Sequence, residues 1–135
     1  MSREEQQRLI ADFVNRRRWA VVGASQDRSK FGNRVFRNLR DAGYQVYAVN
    51  PKGGEVEGVQ AYHALDDLPE PPEVIDLVVP PAVTNQVVKD AARLGISRVW
   101  MQPGAESEEA IAYCTSHGIQ VVHGACAMVH RRLWS

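Results

Sequence analysis

The chain has 135 residues, 44% hydrophobic and 24% charged, and its sixteen basic and sixteen acidic side chains cancel. That length supports one core and excludes two full-size domains, while the balanced charge excludes a global attraction to nucleic acid, so an anion site has to be built locally. No apolar run is long enough to span a bilayer, the charged opening MSREEQQRL lacks the apolar stretch of a secretory signal, and two cysteines without framework spacing fit a reducing cytoplasmic setting.

Residues 2–15 form the first predicted helix. Ser2 and Glu5 have capping-box spacing, and Leu9, Ile10, Phe13 and Val14 share the face that packs on the rest of the domain. A strand follows at Trp19–Val22. A helix beginning near Gly32 then carries Val35, Phe36, Leu39 and Ala42 at helical spacing, and Gly43 ends it just before strand Gln45–Val49. From Pro51 to Pro72 the rhythm breaks. Gly53, Gly54, Gly58 and the run LDDLPEPPE predict a loop with a short extended piece near Val59–Tyr62 and a brief helix at Leu65–Leu68. Strand Ile75–Val79 is closed by Pro80 and Pro81, since proline has no N–H for the ladder. The stripe Val83, Val87, Val88, Ala91 and Leu94 ends at Gly95 before strand Arg98–Met101. Ala110, Ile111 and Cys114 line a further helix that ends at Gly118 before strand Gln120–Val122. Residues 125–135 are expected to form a short helix or tail with Trp134 at the surface. The runs Arg16–Arg18 and Arg131–Arg132 read as solvated helix ends rather than nucleic-acid contacts.

Strands alternating with helices, each strand short, apolar and rich in Val and Ile, imply parallel pairing with both sheet faces covered. The expected fold is α/β and doubly wound, of Rossmann type. It has a five-stranded parallel sheet in the order 3-2-1-4-5, helices on both faces and an N-terminal helix (1–17) packed on a single domain spanning 1–135.

In such sheets ligands bind beyond the carboxyl ends of the strands, where the strand order reverses. Here that is the turn after the first strand. Gly23, Ala24 and Ser25 are small enough for close backbone approach. The helix beginning around Gly32 and Asn33 offers unpaired N–H groups and the positive end of its dipole, and Arg28, Lys30 and Arg34 add charge. The plainer reading makes Gly23 a simple tight turn and the bases solvated surface. The turn is not G-x-G-x-x-G. The second strand ends Asn50-Pro51-Lys52, without the acidic residue that grips ribose hydroxyls in NAD-binding domains. A lysine there suits a phosphate on the adenosine ribose, at the 3′ oxygen in coenzyme A or the 2′ oxygen in NADP. Val79 and Pro80 could wall an adenine or a pantetheine arm, or simply end a strand.

The segments WAVVGAS (19–25), Lys30 with Gly32, GYQVYAVNP (43–51), GVQAYHALDDLP (58–69), IDLVVPP (75–81) and RVWMQPG (98–104) occur in an order and spacing that resembles the small CoA-binding protein family. That family is itself similar to the N-terminal CoA-binding domain of the succinyl-CoA synthetase alpha chain. The resemblance implies coenzyme A lying across the carboxyl edge of the sheet. It places Gly23, Ala24 and Ser25 at the phosphates and Lys30 paired with phosphate. Asn50, Pro51 and Lys52 border the adenosine and its 3′-phosphate, Val79 and Pro80 line the adenine or arm, and Met101 and Gln102 lie near the arm. Cys126 matches a cysteine usual in the family after the last strand, but Gly124-Ala125 stands where a more polar pair is expected. The synthetase's phosphohistidine belongs to a second domain that these 135 residues do not contain, so no ligase activity and no catalytic residue is expected.

Outside the turn, His123, Cys126 and His130 fall short of the four ligands of a structural zinc site, and no metal is expected. Cys126 is a candidate for a mixed disulfide with the coenzyme A thiol. No G-x-S-x-G elbow supports a hydrolase. The expected function is a non-catalytic coenzyme A or acyl-CoA binding protein acting as carrier, sensor or partner subunit, with a protein partner or a homodimer left open. The alternatives are an NAD(P)-dependent oxidoreductase and an interaction protein with an empty nucleotide pocket.

Overall fold

The Ser2 hydroxyl accepts a hydrogen bond from the Glu5 amide at 3.1 Å and so caps the first helix, α1 (Arg3–Val14), in the manner its spacing implies. The computed structural model describes residues 2–134; Met1 and Ser135, the outer limits of the expected single domain, lie outside the described residues. After α1 come β1 (Arg18–Val22), α2 (Phe31–Asp41), β2 (Gln45–Val49), β3 (Glu55–Val56), β4 (Val59–Tyr62) and a 3-10 turn at Leu65–Asp67. Then follow β5 (Val74–Leu77), α3 (Pro81–Arg93), β6 (Arg98–Met101), α4 (Glu108–Ser116), β7 (Gln120–His123) and the short α5 (Ala127–His130).

The α/β Rossmann-like architecture is as expected, but the sheet is not the five-stranded one. It has seven strands in the order β3-β4-β2-β1-β5-β6-β7. Among the five expected strands, the third (β5) pairs with the first, Ile75 lying opposite Ala20, rather than with the second. The neighbour of β2 is instead β4, the segment expected as a loop piece, with Ala48 opposite Ala61 and Val49 opposite Tyr62. Counting β4 as the third parallel strand restores the 3-2-1 half of a Rossmann sheet, continued by β5, β6 and β7. The error has a physical source. β4 is four residues long and half exposed, and it pairs with β2 over only two residues, so it carries no apolar run of its own. β3 adds an antiparallel edge strand, joined to β4 by the two-residue loop Glu57-Gly58.

The apolar residues sort into two layers. On one face Val87, Val88 and Ala91 of α3 and Ala110 and Cys114 of α4 pack on Ala20, Ile75, Val99 and Val121. On the other, Phe13 of α1, Val35, Phe36 and Leu39 of α2 and Ala127 of α5 pack on Trp19, Val21, Trp100 and Val122. The alternation along each strand follows from the two-residue period of the pleat. Three helices end where glycine permits a left-handed turn, at Gly43, Gly95 and Gly118.

Three local expectations change. β5 ends at Leu77, two residues earlier than predicted, so Val79 and Pro80 sit in the loop before α3. Trp134 is half-buried, not surface-lying, because its ring packs edge-on to Tyr44 at 5.6 Å. The arginine runs are not merely solvated. Arg16 pairs with Asp12 at 2.9 Å, and Arg18 donates to the Pro71 carbonyl at 2.7 Å.

Candidate functional site

β1 and β5 are neighbours whose following helices, α2 and α3, pack on opposite faces of the sheet, so a crevice opens between the two loops at the carboxyl edge. A cleft of about 890 Å³ occupies it. Its walls come from three segments: the β1–α2 turn, the turn after β2, and Val78 to Pro80 after β5. A smaller hollow of about 240 Å³ shares Val78, Val79 and Pro80 and continues the edge to Pro103, Gly104 and Ala105 after β6.

Two glycines make the first wall. Gly23 has φ +99°, and a Cβ there would stand 2.1 Å from the Val78 carbonyl oxygen, so the turn can pass close to β5 only without a side chain. A Cβ on Gly32 would stand 2.0 Å from the Gly23 carbonyl oxygen, so α2 starts in direct backbone contact with the turn. Lys30 is the residue before α2, and no side chain caps that helix. The amides of its first turn therefore have no intrahelical or capping partner, and Phe31 and Gly32 carry them into the cleft wall. No acidic side chain occupies the first turn of α2 to oppose an anion.

The loops are tied to each other by side-chain amides. Asn50 donates from Nδ2 to the Ala24 carbonyl at 2.8 Å, and its Oδ1 accepts from the Lys52 amide at 2.8 Å. One asparagine thus joins the turn after β1 to the turn after β2 and sets the course of the lysine backbone. Asn33, fully buried, donates to the Ser25 carbonyl at 2.8 Å. Asp27 accepts from both the amide and the hydroxyl of Ser29, and these bonds hold its carboxyl below the ordinary range. Gly53 and Gly54 complete the far wall. A side chain on either would collide, at Gly53 with the His63 ring and at Gly54 with the Gln26 amide.

Of the residues singled out from the sequence, Gly23, Ser25, Lys30, Gly32, Asn50, Lys52, Val79 and Pro80 line the cleft together. Ala24 and Asn33 lie buried directly behind its wall. Arg28 belongs to the turn but faces away, its Nε 3.3 Å from a Glu57 carboxylate oxygen. Arg34 is exposed on α2 beside Arg37 and Asn38, and Pro51 is exposed in the turn after β2; neither lines the cleft. Met101 and Gln102 are not brought into it. Met101 is fully buried in the layer under α3 and α4, and Gln102 is fully buried with its Oε1 accepting from the Ala127 amide at 2.8 Å. Cys126 also stands outside the cleft, its sulfur 3.3 Å from Gln102 Nε2. Among the described residues no group of three His, Cys, Asp or Glu side chains is placed to hold a metal.

Sequence reasoning left out Gln26, Asp27, Phe31, Gly53, Gly54 and Val78, all of which line the cleft. The pair Gly53-Gly54 directly after Lys52 was the available signal, since consecutive glycines permit close approach from both sides. Val78 carried none, because its place depends on where β5 stops.

A model of the family described as CoA binding domain matches residues 17–132. Among curated proteins, the chain is 30% identical over 129 residues to the acetate–CoA ligase [ADP-forming] II subunit alpha of Pyrococcus furiosus, covering 87% of this chain and 28% of that one. It thus spans little more than a quarter of that relative. Among solved structures, a hypothetical protein from Pyrococcus horikoshii superposes with a TM-score of 0.85 at 32% identity, over 96% of this chain and 89% of the other. The apo form of a dinucleotide-forming acetyl-coenzyme A synthetase 1 from Ca. Korarchaeum cryptofilum superposes with a TM-score of 0.69 at 30% identity, over 83% of this chain and 27% of the other.

Proposed function

The chain belongs to the CoA-binding domain family, and from that premise we propose that it binds coenzyme A, free or acylated, in the cleft along the carboxyl edge of the sheet. The observation that carries the reading is the pairing of two lysines, Lys30 before an uncapped helix and Lys52 after β2, in the walls of one cleft. The amides at the start of α2 and the Gly23–Ser25 turn receive the pyrophosphate, with Lys30 as its counter-charge. Lys52 takes the ribose 3′-phosphate, at the position where an NAD site has a carboxylate. Val79 and Pro80 give the adenine or the arm an apolar wall, and the adjoining hollow at Pro103–Ala105 extends the path for pantetheine.

The role proposed is that of a carrier, sensor or partner subunit in the cytoplasm rather than an enzyme: among the described residues the cleft lining has no histidine or cysteine, and the Asp27 carboxylate is taken up by the amide and hydroxyl of Ser29 within the turn. Isothermal titration tests the assignment. Coenzyme A is expected to bind more tightly than dephospho-CoA, and Lys52→Ala to abolish the difference. Equal affinity for the two ligands removes the proposed role of Lys52. Tighter binding of NADPH than of coenzyme A favours the oxidoreductase alternative.

A further inference from the structure

Glu57 is the only non-glycine residue with positive φ among the described residues, at +49°. It forms the two-residue loop between β3 and β4 with Gly58, itself at +82°. Such a loop requires left-handed backbone at both positions, which asparagine, aspartate and glycine adopt readily and glutamate does not. The backbone therefore gives no reason for glutamate here, and the side chain does. Its carboxylate, 13% exposed, accepts from Asn33 Nδ2 at 3.1 Å and lies 3.3 Å from Arg28 Nε. Arg40 completes the surroundings, donating to the Glu57 carbonyl at 3.0 Å. The Asn33 bond, with the neighbouring arginines adding to it, keeps the carboxyl below its usual range and hence ionised at neutral pH. The same Asn33 amide donates to the Ser25 carbonyl at 2.8 Å, so a continuous chain of bonds runs from the hairpin to the turn after β1.

We propose that Glu57 is a positioning residue for the anion-binding turn: held in a strained hairpin, its carboxylate clamps Arg28 and Asn33 and thereby fixes the segment Ser25–Gly32 in its binding shape. Arg28 then acts through Glu57 and does not touch the ligand, and the cleft's own cations are Lys30 and Lys52. The inference rests on the coenzyme A reading only for its ligand; the clamp itself is a property of the free protein.

The experiment is a double-mutant cycle on Arg28→Ala and Glu57→Gly, read by isothermal titration with coenzyme A and by amide hydrogen exchange over residues 26–32 without ligand. Glycine accepts the positive φ, so this variant removes the carboxylate without adding a backbone clash, and Glu57→Gln, which keeps the left-handed residue, controls for the relief of strain. Each single variant is expected to weaken coenzyme A binding by about five-fold, the double variant no more than either one. The amides of 26–32 are expected to exchange faster in all three. Glu57→Gln, which keeps an oxygen for Asn33, is expected to recover part of the affinity. The clamp is overturned by an Arg28→Ala loss of equal size in both backgrounds, which makes Arg28 a ligand contact, or by unchanged exchange in Glu57→Gly. Absence of coenzyme A binding in the parent protein defeats the coenzyme A reading alone, since the exchange data then decide the clamp.

Discussion

Gly32 and Gly58 differ in what surrounds them, and the difference sets the cost of a methyl group at each. At Gly32 the added carbon meets a carbonyl oxygen at 2.0 Å, and neither partner is a flexible side chain. Gly32→Ala is expected to destabilise the fold by on the order of 2 kcal/mol or more and to weaken coenzyme A binding, because α2 must withdraw from the turn. Gly58 has nothing within 4 Å, so Gly58→Ala is expected to cost only the left-handed backbone term, about 1 kcal/mol. Urea unfolding of the two variants checks the contrast. Asp76 presents a different problem. It lies fully buried in β5, and neither carboxyl oxygen has a hydrogen-bond partner among the described residues. Burial pushes its carboxyl well above the usual range, so the native state keeps a proton that the unfolded chain releases near pH 4. The sign follows. With more protons bound in the native state, stability is full below the unfolded pKa and declines as pH rises toward the folded one. Asp76→Val is expected to flatten that decline, measured as the difference in urea midpoint between pH 5 and pH 8.

At the scale of elements, the C-terminal segment is a strap rather than a tail. The Trp134 amide donates to the Ala42 carbonyl at 2.8 Å, and the guanidinium groups of Arg17 and Arg132 stand over its ring at 5.0 and 4.0 Å. Arg132 donates its amide to the Tyr44 hydroxyl, which in turn donates to the Val14 carbonyl at 2.7 Å. The strap therefore joins the end of α1, the end of α2 and the approach to β2. Trp134→Ala is expected to lower stability by on the order of 2 kcal/mol in urea unfolding. It is expected to leave coenzyme A affinity unchanged, because Gly43 and Tyr44 lie at the amino edge, opposite the cleft. None of this was legible in the sequence, where Trp134 follows two arginines with no periodicity to show what it packs against. The glycine-terminated helices were legible because Gly43, Gly95 and Gly118 each follow an apolar stripe at helical spacing. The extended piece at Val59–Tyr62 was legible too, but its place in the sheet beside β2 was not, because a short half-exposed strand is drawn into a sheet by the partner it pairs with, and VQAY does not name that partner.

Across the whole molecule, the order β3-β4-β2-β1-β5-β6-β7 gathers three loops from distant parts of the chain at one edge. Lys30 and Lys52 come to line one cleft because β1 and β2 are paired in parallel and in register, Val22 opposite Val49, which brings the loops after both strands to the same edge. Coenzyme A at a hundred times its dissociation constant is expected to stabilise the fold by about 2.7 kcal/mol, read as a rise of several degrees in melting temperature. Added salt is expected to weaken that rise if exposed lysines supply the attraction. A melting temperature indifferent to saturating coenzyme A counts against the cleft as its site.

Read without its fold, the chain already specified the alternation of strands and helices, the small turn after β1 and the cationic end of β2. These are local: they follow from apolar periodicity, from glycine's freedom at positive φ and from the charge of a single side chain. That β4 is the third strand, that Met101 and Gln102 are core and that Arg28 faces Glu57 emerged from the assembled fold. Each of those depends on which distant segment comes to lie alongside, and neither propensity nor spacing within one segment carries that information.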